Sequence, residues 1–254
     1  MKNECLIEAI GIEKNFGGIR ALDGCSIRAN RQSITGLIGP NGAGKTTLFN
    51  LISGYYKPDR GEVYLAGRRI DGLAPHRIVR RGLARTFQIP RELREMTVLE
   101  NMMLFPQQQR GEKIWFPLFA PGRMAEQERE LREKAEARLE FVQLIDLKDE
   151  LAKNLSGGQK KLLELARTLM SDPEIILLDE PGAGVNRALM KRLSQNILDL
   201  REQGKTFLLI EHDMDVITTL CDLVVVMAKG KILAQGTFQQ IEKDERVLAA
   251  YLAG

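Results

Sequence analysis

The stretch Gly39-Pro40-Asn41-Gly42-Ala43-Gly44-Lys45-Thr46 decides the fold. It fits the pattern GxxxxGK[ST], follows the apolar run Ser33–Ile38 and precedes a helix-like segment, Thr46–Ser53, that Gly54 ends. Strand, glycine-rich turn and helix in that order make a phosphate-binding loop. A triphosphate carries negative charge on adjacent oxygens, so its site needs many donors and few intruding side chains. Glycines let the backbone curl with its N–H groups inward, and the helix start adds unsatisfied donors and a positive dipole end. Lys45 is expected to reach the β- and γ-phosphates, and the Thr46 hydroxyl to take a Mg²⁺ position. Alone, the motif says only "nucleotide phosphate", since GTPases, kinases and many ATPases share it.

Working outward, short apolar runs that read as buried strands recur at Ser33–Ile38, Ile175–Leu178, Thr206–Ile210 and Leu223–Ala228, with segments of helical period between several of them. That alternation predicts a mostly parallel sheet flanked by helices. Nearer the front, Leu6–Glu13, Gly24–Ala29 and Glu62–Ala66 read as strands joined by glycine-containing turns, which predicts an antiparallel β layer beside the α/β core. Ala125 to Ile145 reads as an amphipathic helix, with Leu131, Leu139, Val142 and Ile145 on a partial stripe and the charges on a solvated face. A second helix is expected over Gly157 to Met170, closed by Pro173. The expected organisation is one domain over 1–254: a core of 1–88 and 172–254, and a helical subdomain of about 89–171 with a loop insertion at 105–125. The prolines of Phe105–Pro121 oppose regular structure, so it reads as an ordered loop. Its aromatics Trp115, Phe116 and Phe119 either form a docking surface or pack against the helical lobe.

Composition bounds the partners. The 254 residues carry 37 basic and 34 acidic side chains, a net charge of +3, too balanced to mark the chain as a nucleic-acid binder. Cys5, Cys25 and Cys221 are odd in number and far apart, without metal-ligand spacing, and read as reduced thiols. The N-terminus lacks the apolar core of a signal peptide, and no run approaches the ~18 apolar residues that span a bilayer. If a membrane is involved, another chain must cross it.

Two further strand ends carry chemistry. Ile175-Ile176-Leu177-Leu178-Asp179-Glu180 is a buried strand closed by two carboxylates. Asp179 would lie beside the phosphate loop and hold Mg²⁺, and Glu180 would face the γ-phosphate to polarise the attacking water. The strand Thr206–Ile210 ends in Glu211-His212-Asp213, where His212 is placed to hydrogen-bond the γ-phosphate and that water.

Leu155-Ser156-Gly157-Gly158-Gln159 is an intact LSGGQ sequence. With it the chain resembles the ATP-binding-cassette (ABC) ATPases over nearly its full length, with the motifs in order. The resemblance implies that Phe16 stacks on adenine, that Gly39–Thr47, Thr47 included, is the Walker A loop, and that Gln88 is the Q-loop residue touching Mg²⁺ or water. It likewise implies that Asp179 and Glu180 are the Walker B acids and His212 the switch histidine. Ser156 is a natural N-cap, and the bare backbone at Gly157 and Gly158 leaves a helix tip as a second anion site. Family architecture implies that this tip binds the ATP held by a partner subunit, so that two cassettes close head to tail around ATP.

Phe16-Gly17-Gly18, Arg85-Thr86-Phe87-Gln88, Met96-Thr97-Val98-Leu99-Glu100-Asn101, the insertion before Ala125, Glu211-His212-Asp213-Met214 and the ending Ala250-Tyr251-Leu252 resemble the LivG-like branch, the ATPase subunits of branched-chain amino-acid importers. That implies a second ABC ATPase, integral permeases and a periplasmic solute-binding protein as partners, no nucleic acid, and a peripheral position on the cytoplasmic face of the inner membrane. Asn186 stands where many cassettes have a D-loop Asp and cannot supply that charge. Arg77, Arg80, Arg81, Arg85, Arg91 and Arg94 near Gln88 either meet a permease or lipid headgroups or are simply solvated. The alternatives are an ABC ATPase for lipid or lipopolysaccharide export, and a soluble ABC ATPase acting on ribosomes or DNA.

Overall fold

The computed structural model describes residues 5–86, 92–105 and 121–252. In chain order these form β1 (Cys5–Phe16), β2 (Ile19–Asn30), β3 (Ile34–Ile38), α1 (Lys45–Ile52), β4 (Arg60–Leu65), β5 (Arg68–Arg69), α2 (Pro75–Val79) and β6 (Leu83–Arg85). There follow α3 (Val98–Met103), α4 (Pro121–Phe141), α5 (Gly157–Leu169), β7 (Ile175–Asp179), α6 (Arg187–Glu202), β8 (Thr206–Ile210), α7 (Met214–Leu220), β9 (Leu223–Ala228), β10 (Lys231–Gly236), α8 (Phe238–Ile241) and α9 (Glu245–Leu252). The chain groups into two compact units: 1–88 with 173–183 and 197–254, and 89–172 with 184–196.

In the first unit the strands form two sheets, ordered β2-β1-β4-β5 and β10-β9-β3-β8-β7-β6. The first is antiparallel throughout. In the second, β6, β7, β8, β3 and β9 run parallel and β10 returns antiparallel on the edge. Strands β3, β7 and β8 are buried at every residue, which is why they read as unbroken apolar runs rather than alternating ones. Gly36 in β3 meets a close approach: a Cβ there would sit 2.7 Å from Cys221 Sγ. The β layer instead alternates in part, and its buried Leu6, Ile7, Ile12, Leu22 and Ile27 join Leu48, Phe49 and Leu51 of α1 and Leu37, Leu177 and Leu208 in one core. Burying each such side chain contributes roughly 1.5–3 kcal/mol.

Register fixes the site. Leu37 of β3 pairs with Ile210 of β8, and Asp179 of β7 pairs with the same Ile210, so three carboxyl ends stand level. In an open parallel sheet that edge is where ligands bind.

The second unit is helical. Helix α3 starts at Thr97 with a reciprocal capping box to Glu100. Helices α3, α4 and α5 pack on one another through Val98, Met102, Ala135, Leu139, Leu162, Leu165 and Leu169, all buried. Asn101 is wholly buried within this apolar set; its amide donates to Leu93 O and Thr97 O, and its oxygen accepts from Leu93 N.

Three sequence expectations change. Residues 121–125 are the first turn of α4 rather than loop, since a proline at a helix start forfeits no hydrogen bond. The helix expected to reach Ile145 ends at Phe141, because Gln143 takes a left-handed φ of 57°, and a single 3₁₀ turn follows at Ile145–Leu147. Residues 184–196 group with the helical unit rather than with the core. Trp115, Phe116 and Phe119 lie outside the described residues.

Candidate active site

The loop after β3 has the shape its glycines require. Gly39 has φ +148°, and a Cβ on it would stand 2.0 Å from the Met227 carbonyl oxygen; at Gly44, φ +102°, it would meet Ala21 O at 2.7 Å. Gly42 is also left-handed, at φ +76°, but opens onto free space. Lys45, the first residue of α1, curls back so that Nζ donates to Gly39 O at 2.7 Å and Pro40 O at 3.0 Å. Burial pushes the Lys45 pKa down, and the nearby carboxylates of Glu180 and Asp179 pull it part of the way back. A cation held on two carbonyls at the start of a helix is poised for phosphate oxygens.

A cleft opens over this loop, lined by Asn41 to Thr47 with Ile19, Arg20, Ala21, Glu180 and His212. The Lys45, Thr46, Glu180 and His212 of the sequence reading thus share one cavity. Glu180 follows β7 with a left-handed φ of 50°, its N–H donating to Ile210 O, and this turn swings its side chain into the cleft. Nε2 of His212 lies 2.8 Å from Glu180 Oε1, a distance at which the Nε2–H tautomer donates to the carboxylate. Glu211, buried, accepts from Gly182 N at 2.6 Å and from His212 N at 3.0 Å, tying the loop after β7 to the end of β8.

Asp179, expected to hold Mg²⁺, is already paired with an arginine. Its Oδ2 accepts from Arg85 Nη2 at 2.9 Å, and both side chains are nearly excluded from water, at 7% and 6% exposure. Arg85 therefore leaves the basic set read as meeting a permease or lipid headgroups or as simply solvated: its guanidinium is buried on Asp179 Oδ2, Asn50 Oδ1 and Ser53 Oγ. Phe16 is exposed at the end of β1, edge-on to Tyr56 with ring centroids 5.2 Å apart. Gln88 lies outside the described residues.

In the helical unit, Ser156 caps α5 in a capping box with Gln159: each side chain accepts from the other's backbone N–H. A Cβ on Gly157 would meet nothing within 4 Å, whereas one on Gly158 would press on Leu189 Cδ2 at 2.6 Å. The helix tip is therefore bare at Gly157 and packed at Gly158. Asn186 Oδ1 accepts from Leu189 N, so the residue at the D-loop position acts locally as a helix cap.

Sequence reading missed Ile19, Arg20 and Ala21, which reach the cleft only through the fold of β2, as well as the roles of Arg85 and Glu211. It also missed Tyr251, whose phenol burial pushes up in pKa while a hydrogen bond with the Gly39 backbone pulls it back. Nothing in their own side-chain types marks these contacts; only the tertiary fold makes them.

Comparison with known proteins gives consistent relatives. A family profile described as ABC transporter matches residues 22–183. The chain is 42% identical to a probable branched-chain amino acid transport ATP-binding protein LivG of Archaeoglobus fulgidus, covering 97% of this chain and 95% of that one. It is 40% identical to the high-affinity branched-chain amino acid transport ATP-binding protein BraF of Pseudomonas aeruginosa, over 97% of each. Among solved structures it is similar to a nucleotide-free ATP-binding cassette from an ABC transporter, with TM-score 0.85, 38% identity and coverage of 97% and 98%. It is also similar to the ADP conformation of an ATP-binding cassette, with TM-score 0.84, 37% identity and coverage of 98% and 99%.

Proposed function

Since the chain belongs to the ABC transporter family, we propose that it is the ATP-hydrolysing subunit of an importer for branched-chain or closely related amino acids, acting through separate permease subunits. The observation that carries the reading is the convergence of Lys45, Glu180 and His212 on the cleft over the glycine loop. The names of its relatives favour import over lipid export or work on ribosomes or DNA. Among the described residues no helix is long and apolar enough to cross a membrane, which fits a subunit that docks on others. The site for that docking is the cytoplasmic face of the inner membrane, with a periplasmic solute-binding protein delivering the solute.

In the cleft the loop N–H groups and Lys45 hold the triphosphate, Phe16 stacks on the adenine, Glu180 accepts a proton from the attacking water, and His212 holds Glu180 and the γ-phosphate end in register. Mg²⁺ fits the donors present: one hydroxyl, Thr46, and one carboxylate, Asp179, are the sparse protein set this ion takes when phosphates and waters complete its shell, and Gln88 is the further ligand the family resemblance implies. When bound, Mg²⁺ would neutralise charge on the β- and γ-phosphates. Two cassettes, identical or homologous, close head to tail, with Leu155 to Gln159 of each capping the ATP of the other.

Reconstitution with the neighbouring permeases in vesicles tests this. A branched-chain amino acid presented on its binding protein should stimulate ATP hydrolysis several-fold. Stimulation by lipid alone, or by no solute in the presence of intact permeases, would sink the import reading.

A further inference from the structure

Arg85 is a second feature of this site, and sequence reading assigned its side chain no role there. It ends β6, and its guanidinium ties that strand to β7 and α1: Nη2 to Asp179 Oδ2 at 2.9 Å, and Nη1 to Asn50 Oδ1 at 2.7 Å and Ser53 Oγ at 3.0 Å. Asn50 belongs to the helix that starts with Lys45, and Ser53 follows its last turn. The rings of Phe49 and Tyr55 flank the group at 5.7 and 5.8 Å from their centroids. A planar fork held this way has little freedom to leave.

The electrostatics follow from burial. A carboxylate as enclosed as Asp179 needs a counter-charge whenever it is ionised. Arg85 supplies one without any metal, and it takes Oδ2 while leaving Oδ1 as the remaining acceptor.

We propose that Arg85 is a positioning residue that holds Asp179 with one oxygen presented to the metal and, by its own charge, keeps a divalent cation from settling on Asp179 before nucleotide arrives. The inference rests on the reading of Asp179 as the carboxylate on the metal's side. The guanidinium repels a bare divalent ion, and the phosphates of ATP outweigh that repulsion, so metal enters with nucleotide. This arrangement also links the end of α1, and through it the phosphate loop, to the end of β7.

The test is a titration of the nucleotide-free chain with Mn²⁺ read by electron paramagnetic resonance, alongside ATP affinity measured in Mg²⁺ and in EDTA. Arg85→Met should bind Mn²⁺ without nucleotide at least about tenfold more tightly than the parent chain, and Mg²⁺ should raise its melting temperature more than the parent's. Adding Asp179→Asn to it should abolish that binding. Arg85→Lys, which keeps the charge and loses the fork, should show no gain in nucleotide-free Mn²⁺ affinity but a weaker Mg²⁺ dependence of ATP binding. Should Arg85→Met fail to fold, Arg85→Gln, which keeps hydrogen bonding and removes charge, carries the same prediction. A purely structural arginine would lower the melting temperature equally with and without Mg²⁺ and leave Mn²⁺ binding at the parent's level, and that result overturns the inference. If Asp179→Asn alone leaves the Mg²⁺ dependence of ATP binding untouched, the metal reading of Asp179 fails instead.

Discussion

Glu180 Oε1 and His212 Nε2 stand 2.8 Å apart at the carboxyl ends of β7 and β8. Neither residue reaches this contact by accident of sequence spacing: β7 and β8 are adjacent parallel strands, and both side chains leave the sheet at the level of Ile210. A carboxylate oriented by an imidazole and facing a phosphate loop is an arrangement for activating water.

Glu180→Gln keeps shape and removes the base. Hydrolysis should fall by about 10²-fold or more, while ATP affinity stays within a few-fold of the parent's, because Lys45 and the loop are untouched. Lys45→Ala should do the reverse and abolish binding. Turnover assays paired with equilibrium nucleotide binding separate the two, and normal turnover in Glu180→Gln would remove Glu180 from the chemistry.

The glycines of the loop are not equivalent. Gly39→Ala places a methyl 2.0 Å from the Met227 carbonyl, backbone that cannot yield, so the loop must distort and ATP binding should be lost. Gly42→Ala meets open space and pays only for its left-handed φ, roughly 1–2 kcal/mol. Melting temperatures and ATP affinities of the two variants should differ in that order; equal effects would mean the loop shape is not what binds.

Much of this was legible in the residues. The loop, the two acid-tipped strands and the LSGGQ helix start each need particular residue types at fixed spacing, so chemistry wrote them into the chain locally. The parallel sheet was legible because β3, β7 and β8 are buried on both faces. Arg85 was misread as a surface charge, because its burial depends on Asp179, 94 positions away. Ile19 to Ala21 and Tyr251 were missed as site residues for the same reason: nothing in their own side-chain types marks the loop they will meet. Helix limits near Gln143 and Pro121 turned on single φ values and on whether a proline starts or breaks a helix.

The signature tip gives a pair of variants with opposite consequences. Gly157→Ala has free space, so the isolated chain should melt as the parent does, yet a partner's phosphate would meet the new methyl and dimerisation with ATP should weaken. Gly158→Ala must displace the end of Leu189, a flexible side chain, at a modest stability cost. Ser156→Arg should block closure outright. Light scattering of Glu180→Gln with ATP, with and without each change, reads this; undiminished dimer in all three would contradict the head-to-tail arrangement.

Asn101 holds the second unit together. Its amide satisfies Leu93 O, Thr97 O and Leu93 N with no exposure to water, so truncation strands several backbone groups at once. Asn101→Ala should destabilise by about 2–4 kcal/mol, measured by urea unfolding. Asn101→Asp keeps the acceptor for Leu93 N and loses the donors, so it should be at least as damaging.

Alkaline pH offers a test of burial. Burial pushes the Cys221 thiol up to about 12 and the Cys25 thiol to about 11, against 9.0 when unshifted. Both folded values lie above the unfolded one, so between pH 9 and 12 the native chain keeps protons that the unfolded chain releases. Stability from these groups is therefore full below pH 9 and falls as pH rises through that window, by at most about 1.4 kcal/mol per pH unit for each thiol. Cys221→Ser replaces the thiol by a hydroxyl that does not titrate there, so its urea midpoint should decline less steeply than the parent's between pH 8 and 10.5, whatever its stability at pH 8. Comparing slopes cancels the lysines and tyrosines that titrate in both proteins. Parallel slopes would mean that Cys221 ionises in the native chain as readily as in the unfolded one, and that the contact between Gly36 and Cys221 is open to water.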